Sequence, residues 1–379
     1  MLVLTNARVY TPLEVVEPAT LAVDRGRITS LRAGRSARGE DLKGHIVAPG
    51  FIDLHVHGYE GHDATSGEVG SLLSLARSLA SHGTTAFIPN TVTASHEATL
   101  QAAKATAEAI KAQGGSPDGA RILGLELEGP YINPERKGAQ NSNFIRKPNW
   151  DEFLEYWNAA REKIRTITVA PELPGVLEFI EKAVALGVVV SLGHTNASYE
   201  EAKAAIAAGA SRATHLYNAM PPWHHRAPGV VAACLESPQV VVELICDLVH
   251  VAPPMLRLAW RLAGSFRTTL ITDAIAAGGL PDGNYTLGGL AVEVREGIPR
   301  LESGALAGST LTMDQAVRNA VAIGIPLREA LIMASLAPAR ACGEPSLGTL
   351  RPGSRADFVV LDPEGFTLKR VYIGGKRLL

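Results

Sequence analysis

Seven ionisable residues stand where short apolar runs stop. Phe51-Ile52-Asp53-Leu54 runs into His55-Val56-His57, and 122–127 runs into Glu128-Gly129-Pro130. The run 188–192 leads to Gly193-His194, 213–216 carries His215, 240–249 ends at His250, and Leu270-Ile271-Thr272 ends at Asp273. Imidazoles and carboxylates drawn from separate strands suit Zn²⁺ or Fe²⁺ with a position left open for water. A cation held in that way lowers the pKa of its water from ~15.7 toward ~7, which supplies a nucleophile without serine or cysteine. Glu128, His194 and His215 are the expected core ligands. His55 and His57 alternate along one strand, face the same way, and are the candidates for a second ion. Asp273 is the expected general base and acid, taking a proton from the attacking water and returning it to a leaving amine. Its alternatives are a further ligand or an N-cap before Ala274-Ile275. His250 is expected to donate to a carbonyl oxygen as negative charge develops there; the alternative is a solvent-facing imidazole before Ala252-Pro253-Pro254.

A lone histidine in any of these places would mean little. The recurrence after strand upon strand is what a parallel barrel shows when its strand ends converge on one mouth. Arg226, in the loop His224-His225-Arg226 after the sixth expected strand, has the fork geometry for a phosphate, against the plain alternative of a solvated loop arginine. His45, His82 and His96 lie away from the strand ends and carry no expected role.

The elements that must hold these residues can be read from periodicity. About eight short apolar strands, near 51–56, 85–89, 122–127, 164–170, 188–192, 213–216, 240–247 and 268–272, alternate with helical patterns. Expected helices include 68–81, 95–113, 150–163, 173–186 and 199–208, followed by 312–323 and 327–341. Leu72, Leu75, Ala76 and Leu79 recur at helical spacing, as a face packed on a sheet would. The fold class is therefore α/β, a (β/α)8 TIM-like barrel. Both ends of the chain instead alternate in short strands with turn signals such as Asp24-Arg25-Gly26 and Gly374-Gly375. They are expected to form one small β-sandwich domain from 1–48 and 344–379, with the catalytic barrel at 49–343 inserted between them.

Composition excludes several classes. Hydrophobic residues make up 46% and charged residues 20% of 379, the balance of a globular enzyme. Lys+Arg number 36 against Asp+Glu 38, a net charge of −2, so a polyphosphate chain has no electrostatic footprint and nucleic acid is not an expected partner. No apolar stretch approaches the ~20 residues that span a membrane, and the first residues lack the pattern of a signal peptide. The three cysteines, Cys234, Cys246 and Cys342, form no CxxC pair and read as reduced thiols of a cytoplasmic protein.

Longer stretches carry a resemblance. Pro49-Gly50-Phe51-Ile52-Asp53-Leu54-His55-Val56-His57-Gly58 is a pattern shared across the amidohydrolase superfamily. Leu127-Glu128-Gly129-Pro130, Lys137-Gly138-Ala139, Gly193-His194-Thr195, Asp247-Leu248-Val249-His250 and Thr272-Asp273-Ala274 also match, while Thr214-His215-Leu216-Tyr217-Asn218-Ala219-Met220 and Leu306-Ala307-Gly308-Ser309 are much more specific. With them the chain resembles the N-acetylglucosamine-6-phosphate deacetylases of that superfamily over essentially its whole length. The resemblance implies hydrolysis of the N-acetyl group of a 6-phosphorylated amino sugar, with metal on Glu128, His194 and His215, Asp273 catalytic and His250 at the acetamide. It implies sugar and phosphate contacts from Ala139, Gln140, Asn218, Ala219, Arg226, Leu306, Ala307 and Gly308, and a homodimer in which a neighbouring subunit can reach the phosphate. Gln140 stands where some members have histidine; it hydrogen-bonds but carries no charge. Because His55 and His57 are both present, a two-metal site bridged by Glu128 is expected. Competing readings are an N-acetylgalactosamine-6-phosphate deacetylase, a cyclic-amide hydrolase or deaminase of the same fold, and a non-catalytic barrel. The last would be expected to have lost ligands that this chain retains.

Overall fold

The computed structural model describes residues 1–115 and 118–379. Eight parallel strands follow one another around a barrel: Phe51–Val56, Thr84–Thr91, Leu125–Glu128, Ile164–Val169, Val189–Leu192, Arg212–Ala213, Val241–Ile245 and Thr268–Ile271. Each is hydrogen-bonded in parallel to the next. The first and eighth strands meet by other means. The Asp273 N–H donates to the His55 carbonyl at 2.9 Å. Asp53, wholly buried, accepts the Thr272 N–H at 3.2 Å and the Thr272 hydroxyl at 2.5 Å. A side chain thus closes a seam that a strand ladder leaves open.

The helices lie where periodicity predicts, with ends set by local chemistry. Val69–Ala80 buries Leu72, Leu75, Ala76 and Leu79, the expected face. Each wholly buried leucine there contributes roughly 2 kcal/mol. Ser95 caps His96–Gln113, and Ser198 with Glu201 forms a capping box at the start of Tyr199–Ala207. The helix expected over 327–341 is broken into Leu327–Ala334 and Leu336–Ala341 at Ser335, because Pro338 has no N–H to donate to Ala334. The expected sixth strand at 213–216 is shorter and earlier. Pairing stops at Ala213 so that Thr214 to Leu216 turn out of the sheet.

Strands from both ends of the chain share one sheet. Ile46–Pro49 pairs with Leu2–Tyr10 on one side and antiparallel with Phe358–Leu361 on the other, and Leu368–Ile373 and Lys376–Arg377 extend that edge. Gly50 then leads directly into the first barrel strand. A Cβ at Gly50 would come within 2.2 Å of Thr85 Oγ1, so the crossing is open only to glycine. A further sheet was not foreseen. Gly283–Leu287, Leu290–Arg295 and Ile298–Leu301 make a three-stranded antiparallel sheet after the eighth barrel strand. The Gly288-Gly289 pair between two alternating runs is a signal that finds its first turn. Among the described residues, no helix is long and apolar enough to cross a membrane. All three cysteines are free and buried.

Candidate active site

Three of the candidate residues share one local construction. His194, His215 and Asp273 each stand two residues past the last paired residue of a barrel strand, Leu192, Ala213 and Ile271. All three adopt positive φ, 48°, 31° and 51°. A left-handed backbone costs an L-residue on the order of 1–2 kcal/mol. The surroundings hold it in place; the Asp273 carbonyl, for instance, accepts the Ser309 N–H at 2.7 Å. The effect is to swing each side chain from the strand direction inward over the barrel mouth. Glu128 needs no such turn, because it is the last residue of its strand.

The side chains converge. His194 Nε2 and His215 Nε2 each lie 2.9 Å from Glu128 Oε1 and 3.1 Å from each other. His57 Nε2 lies 3.2 Å from Glu128 Oε2, 3.2 Å from Asp273 Oδ1 and 3.3 Å from His55 Nε2. The far nitrogens show which atoms are bare. His194 Nδ1 donates to the Arg136 carbonyl at 2.8 Å, and His57 Nδ1 to the Asn90 carbonyl at 3.1 Å. In the neutral ring, Nε2 of each then carries a lone pair aimed at a carboxylate oxygen. Lone pairs facing one another at such distances fit a divalent cation between them. Two sets form among these residues, Glu128–His194–His215 and His55–His57–Asp273, with Glu128 between them, and a third, His55–Glu126–Glu243, shares His55.

The charge around these sets asks for the same thing. Asp53, Glu126, Glu128, Glu243 and Asp273 are all buried, and Arg212 is the buried guanidinium among them. Burial opposes a charged His55, yet Glu128, Glu243 and Glu126 outweigh it and raise its pKa to about 9. Burial likewise opposes a charged His57, but Asp273 and Glu128 raise it well above the ordinary value. Burial works to raise Glu128 and Asp273, while neighbouring imidazoles hold both below the carboxylate range. The site draws positive charge, which a proton or a metal ion can supply.

A cavity of about 270 Å³ opens onto the centre, lined by His57, Glu128, His194, His215, His250 and Asp273 among others. Ala139, Gln140, Asn218, Ala219, Leu306 and Gly308 line it as well. His55 lies beneath, wholly buried. Gln140 is fixed at both ends. Its Oε1 accepts the Thr93 N–H at 2.6 Å and its Nε2 donates to Glu128 Oε2 at 2.5 Å. His250 gives Nδ1 to Asp247 Oδ2 at 2.6 Å, leaving Nε2 for the cavity. Ala307 lies behind the wall, its N–H spent on the Pro299 carbonyl. Arg226 sits on an exposed stretch with Nη1 2.8 Å from His225 Nε2, and the cavity lining includes neither it nor any other arginine or lysine.

Sequence reasoning missed the polar layer beneath. Glu126 and Glu243 sit inside strands read as apolar, Arg212 lies just ahead of the strand expected at 213–216, and Asp53 and Asp247 were quoted in motifs without a role. Their signal is the period-2 rule: Glu126 and Asp53 lie two residues before Glu128 and His55, on the same strand face.

The amidohydrolase family model matches residues 46–378. The chain belongs to that family. Within it, the chain is 41% identical over 366 residues to an N-acetylglucosamine-6-phosphate deacetylase of Vibrio furnissii, covering 95% of this chain and 90% of the relative. It is 40% identical over 333 residues to an N-acetylgalactosamine-6-phosphate deacetylase of Escherichia coli O157:H7, covering 87% of each. Among solved amidohydrolase structures, a variant N-acetyl-D-glucosamine-6-phosphate deacetylase from Mycobacterium smegmatis, in complex with N-acetyl-D-glucosamine-6-phosphate, superposes with a TM-score of 0.93 at 37% identity, over 100% of this chain and 99% of that one.

Proposed function

We propose that this chain hydrolyses the N-acetyl group of N-acetyl-D-glucosamine 6-phosphate, giving D-glucosamine 6-phosphate and acetate. The observation that carries the reading is the meeting of Glu128, His194 and His215, with Asp273 beside His57, at the floor of one cavity. Zn²⁺ or Fe²⁺ on these donors, one ion on Glu128, His194 and His215 and a second on His55 and His57, supplies Lewis acidity and a lowered water pKa. Asp273 takes the proton of the attacking water and delivers it to the leaving nitrogen. His250, with Asp247 accepting at Nδ1, donates from Nε2 in its protonated form to the acetamide oxygen as charge builds there. Asn218, Ala219, Ala139, Gln140 and the 306–308 segment shape the sugar site. The phosphate is assigned to Arg226, in the exposed loop that follows the Thr214–Met220 stretch. A lining without lysine or arginine supports an anion anchor brought from outside the wall, from this chain or from the second subunit of a homodimer. Free, buried cysteines support a cytoplasmic enzyme of amino-sugar catabolism. The shared terminal sheet supports treating 1–48 and 344–379 as one domain and 49–343 as the catalytic one.

The decisive experiment is acetate release from N-acetylglucosamine 6-phosphate before and after chelation, with bound metal quantified. Activity that follows metal content supports the proposal. Undiminished turnover after complete metal removal, or none after reconstitution, overturns it. The Escherichia coli relative favours running the C4 epimer, N-acetylgalactosamine 6-phosphate, in parallel; a preference for it replaces the substrate and keeps the chemistry. Arg226→Ala is expected to raise KM for the phosphosugar about tenfold or more with little change for the unphosphorylated sugar.

A further inference from the structure

His55 is wholly buried, and its two ring nitrogens face opposite ways. Nε2 looks toward the centre, 3.3 Å from His57 Nε2 and 3.6 Å from both Glu128 Oε1 and Asp273 Oδ1. Nδ1 looks down the barrel axis, where its neighbours are Glu243 Oε2 at 3.6 Å and Glu126 Oε1 at 3.9 Å. The two acids are not equivalent. Glu126 Oε1 already accepts the Thr168 hydroxyl at 3.0 Å. Glu243 Oε2 accepts the His215 N–H at 3.4 Å, so one carboxylate oxygen faces the ring of His55 and the backbone of His215 together. Below both, Arg212 Nη1 stands 3.5 Å from Glu126 Oε2 and from Glu243 Oε1. Its guanidinium is fixed by Thr166 Oγ1 at 3.0 Å and by the Ala341 carbonyl at 3.2 Å. His55, Glu126 and Glu243 come as close together as metal ligands do. Arg212 already supplies a cation that never loses its proton in proteins, so this group is not a third metal site.

We infer that Glu243 is a positioning residue for the half of the centre built on His55, His57 and Asp273: its carboxylate, 3.6 Å from a buried His55 Nδ1 that has no hydrogen-bond partner, favours the proton on Nδ1 and so leaves Nε2 bare and correctly turned, while Arg212 holds Glu243 in place. The inference rests on the metal-dependent reading above. A carboxylate behind a ligating imidazole fixes its tautomer and ring angle, and losing it costs about 10–100-fold in metal affinity. The geometry adds selectivity: on the His194 and His215 side Glu243 meets only a backbone N–H, so that half is expected to be spared.

The test is a Zn²⁺ titration of the metal-stripped full chain against a competing chelator. His57→Ala identifies which uptake step belongs to the first-strand half. Glu243→Gln is expected to weaken that step about 10–100-fold and leave the other within about twofold, whereas Glu126→Gln changes it less. Should Glu243→Gln prevent folding, Arg212→Lys keeps the charge, loses the fork, and is expected to weaken the same step. Equal weakening of both steps, an unchanged first-strand step in Glu243→Gln, or a larger effect from Glu126→Gln overturns the inference and leaves the deacetylase reading standing. A wild-type chain that takes up no cation overturns both.

Discussion

His250 can offer the cavity only one ring nitrogen because Asp247 holds the other. The Asp247 carboxylate also accepts the backbone N–H groups of Val249 and His250, both at 2.9 Å, so the turn and the imidazole are tied to one anchor. Burial would raise Asp247, but His250 and these N–H groups lower its pKa, and it stays charged where its negative charge favours a donating ring. Asp247→Asn keeps the shape and loses the charge. It is expected to lower kcat about 10–100-fold with a smaller change in KM, read from steady-state acetate release. An unchanged kcat would remove Asp247 from the site. Asp273 is a different case, since the proposed mechanism gives it the proton transfer itself. Asp273→Asn is expected to lower kcat by about 10³-fold or more while folding and substrate binding persist, measured by turnover beside equilibrium binding of the phosphosugar. Near-normal turnover would give the proton transfer to another group. Gly308 belongs to the same structure: at φ +64°, a Cβ there would lie 2.8 Å from the Asp273 carbonyl oxygen, so the segment beside Asp273 tolerates no side chain.

At the scale of elements, the weak point of the barrel is where its first and eighth strands meet. Asp53 accepts from Thr272 twice and from the His55 N–H at 3.3 Å, so one carboxylate replaces several ladder bonds directly under a candidate ligand. Asp53→Ala strands two buried N–H groups and a hydroxyl, and a loss of roughly 2–4 kcal/mol is expected in urea unfolding. Asp53→Asn retains an oxygen for the N–H groups and is expected to cost about 1 kcal/mol or less. A cost for the alanine variant no larger than for the asparagine one would mean that the seam is held elsewhere. Much of this level was legible beforehand. The stripe of Leu72, Leu75, Ala76 and Leu79 is a local signal, and the structure buries that face. Acids inside apolar runs were not read, although period-2 spacing from Glu128 marks Glu126. Glu126 and Glu243 look like interruptions until one knows that their strand face points into a barrel, where Arg212 from a third strand answers them. The strand after Asp282 was missed for the opposite reason, since its alternation leaves one face exposed and no barrel strand does that. Arg226 shows the limit in an exposed loop, because a loop arginine's target depends on what approaches it.

For the molecule as a whole, the buried charge couples stability to metal and to pH. Burial raises the carboxyl pKa of Asp53 to about 6 and of Glu126 to about 7, and the surrounding acids raise His55 to about 9 against its own desolvation. Each of these groups binds its proton more tightly folded than unfolded. Their contribution is therefore present at low pH and is lost as pH rises from the unfolded to the folded value, by about pH 6 for Asp53, by about pH 7 for Glu126, and between about 6.5 and 9 for His55, which carries most of the loss above pH 6. Glu128 and Asp273 are lowered, so their contribution is lost only below about pH 4, outside that window. Metal-stripped protein is thus expected to lose of order a few kcal/mol between pH 6 and pH 9, seen as a falling Tm. Metal reverses the dependence. Its ligands bind it deprotonated, so affinity grows with pH, and an ion present at 100 times its Kd adds about 2.7 kcal/mol. Thermal unfolding of chelated and reconstituted protein across pH 6–9 should therefore diverge, with the gap widest at the alkaline end. Parallel curves would mean that the five buried acids are balanced by something other than the proton and the cation, and that the charge of this centre has been assigned to the wrong partners.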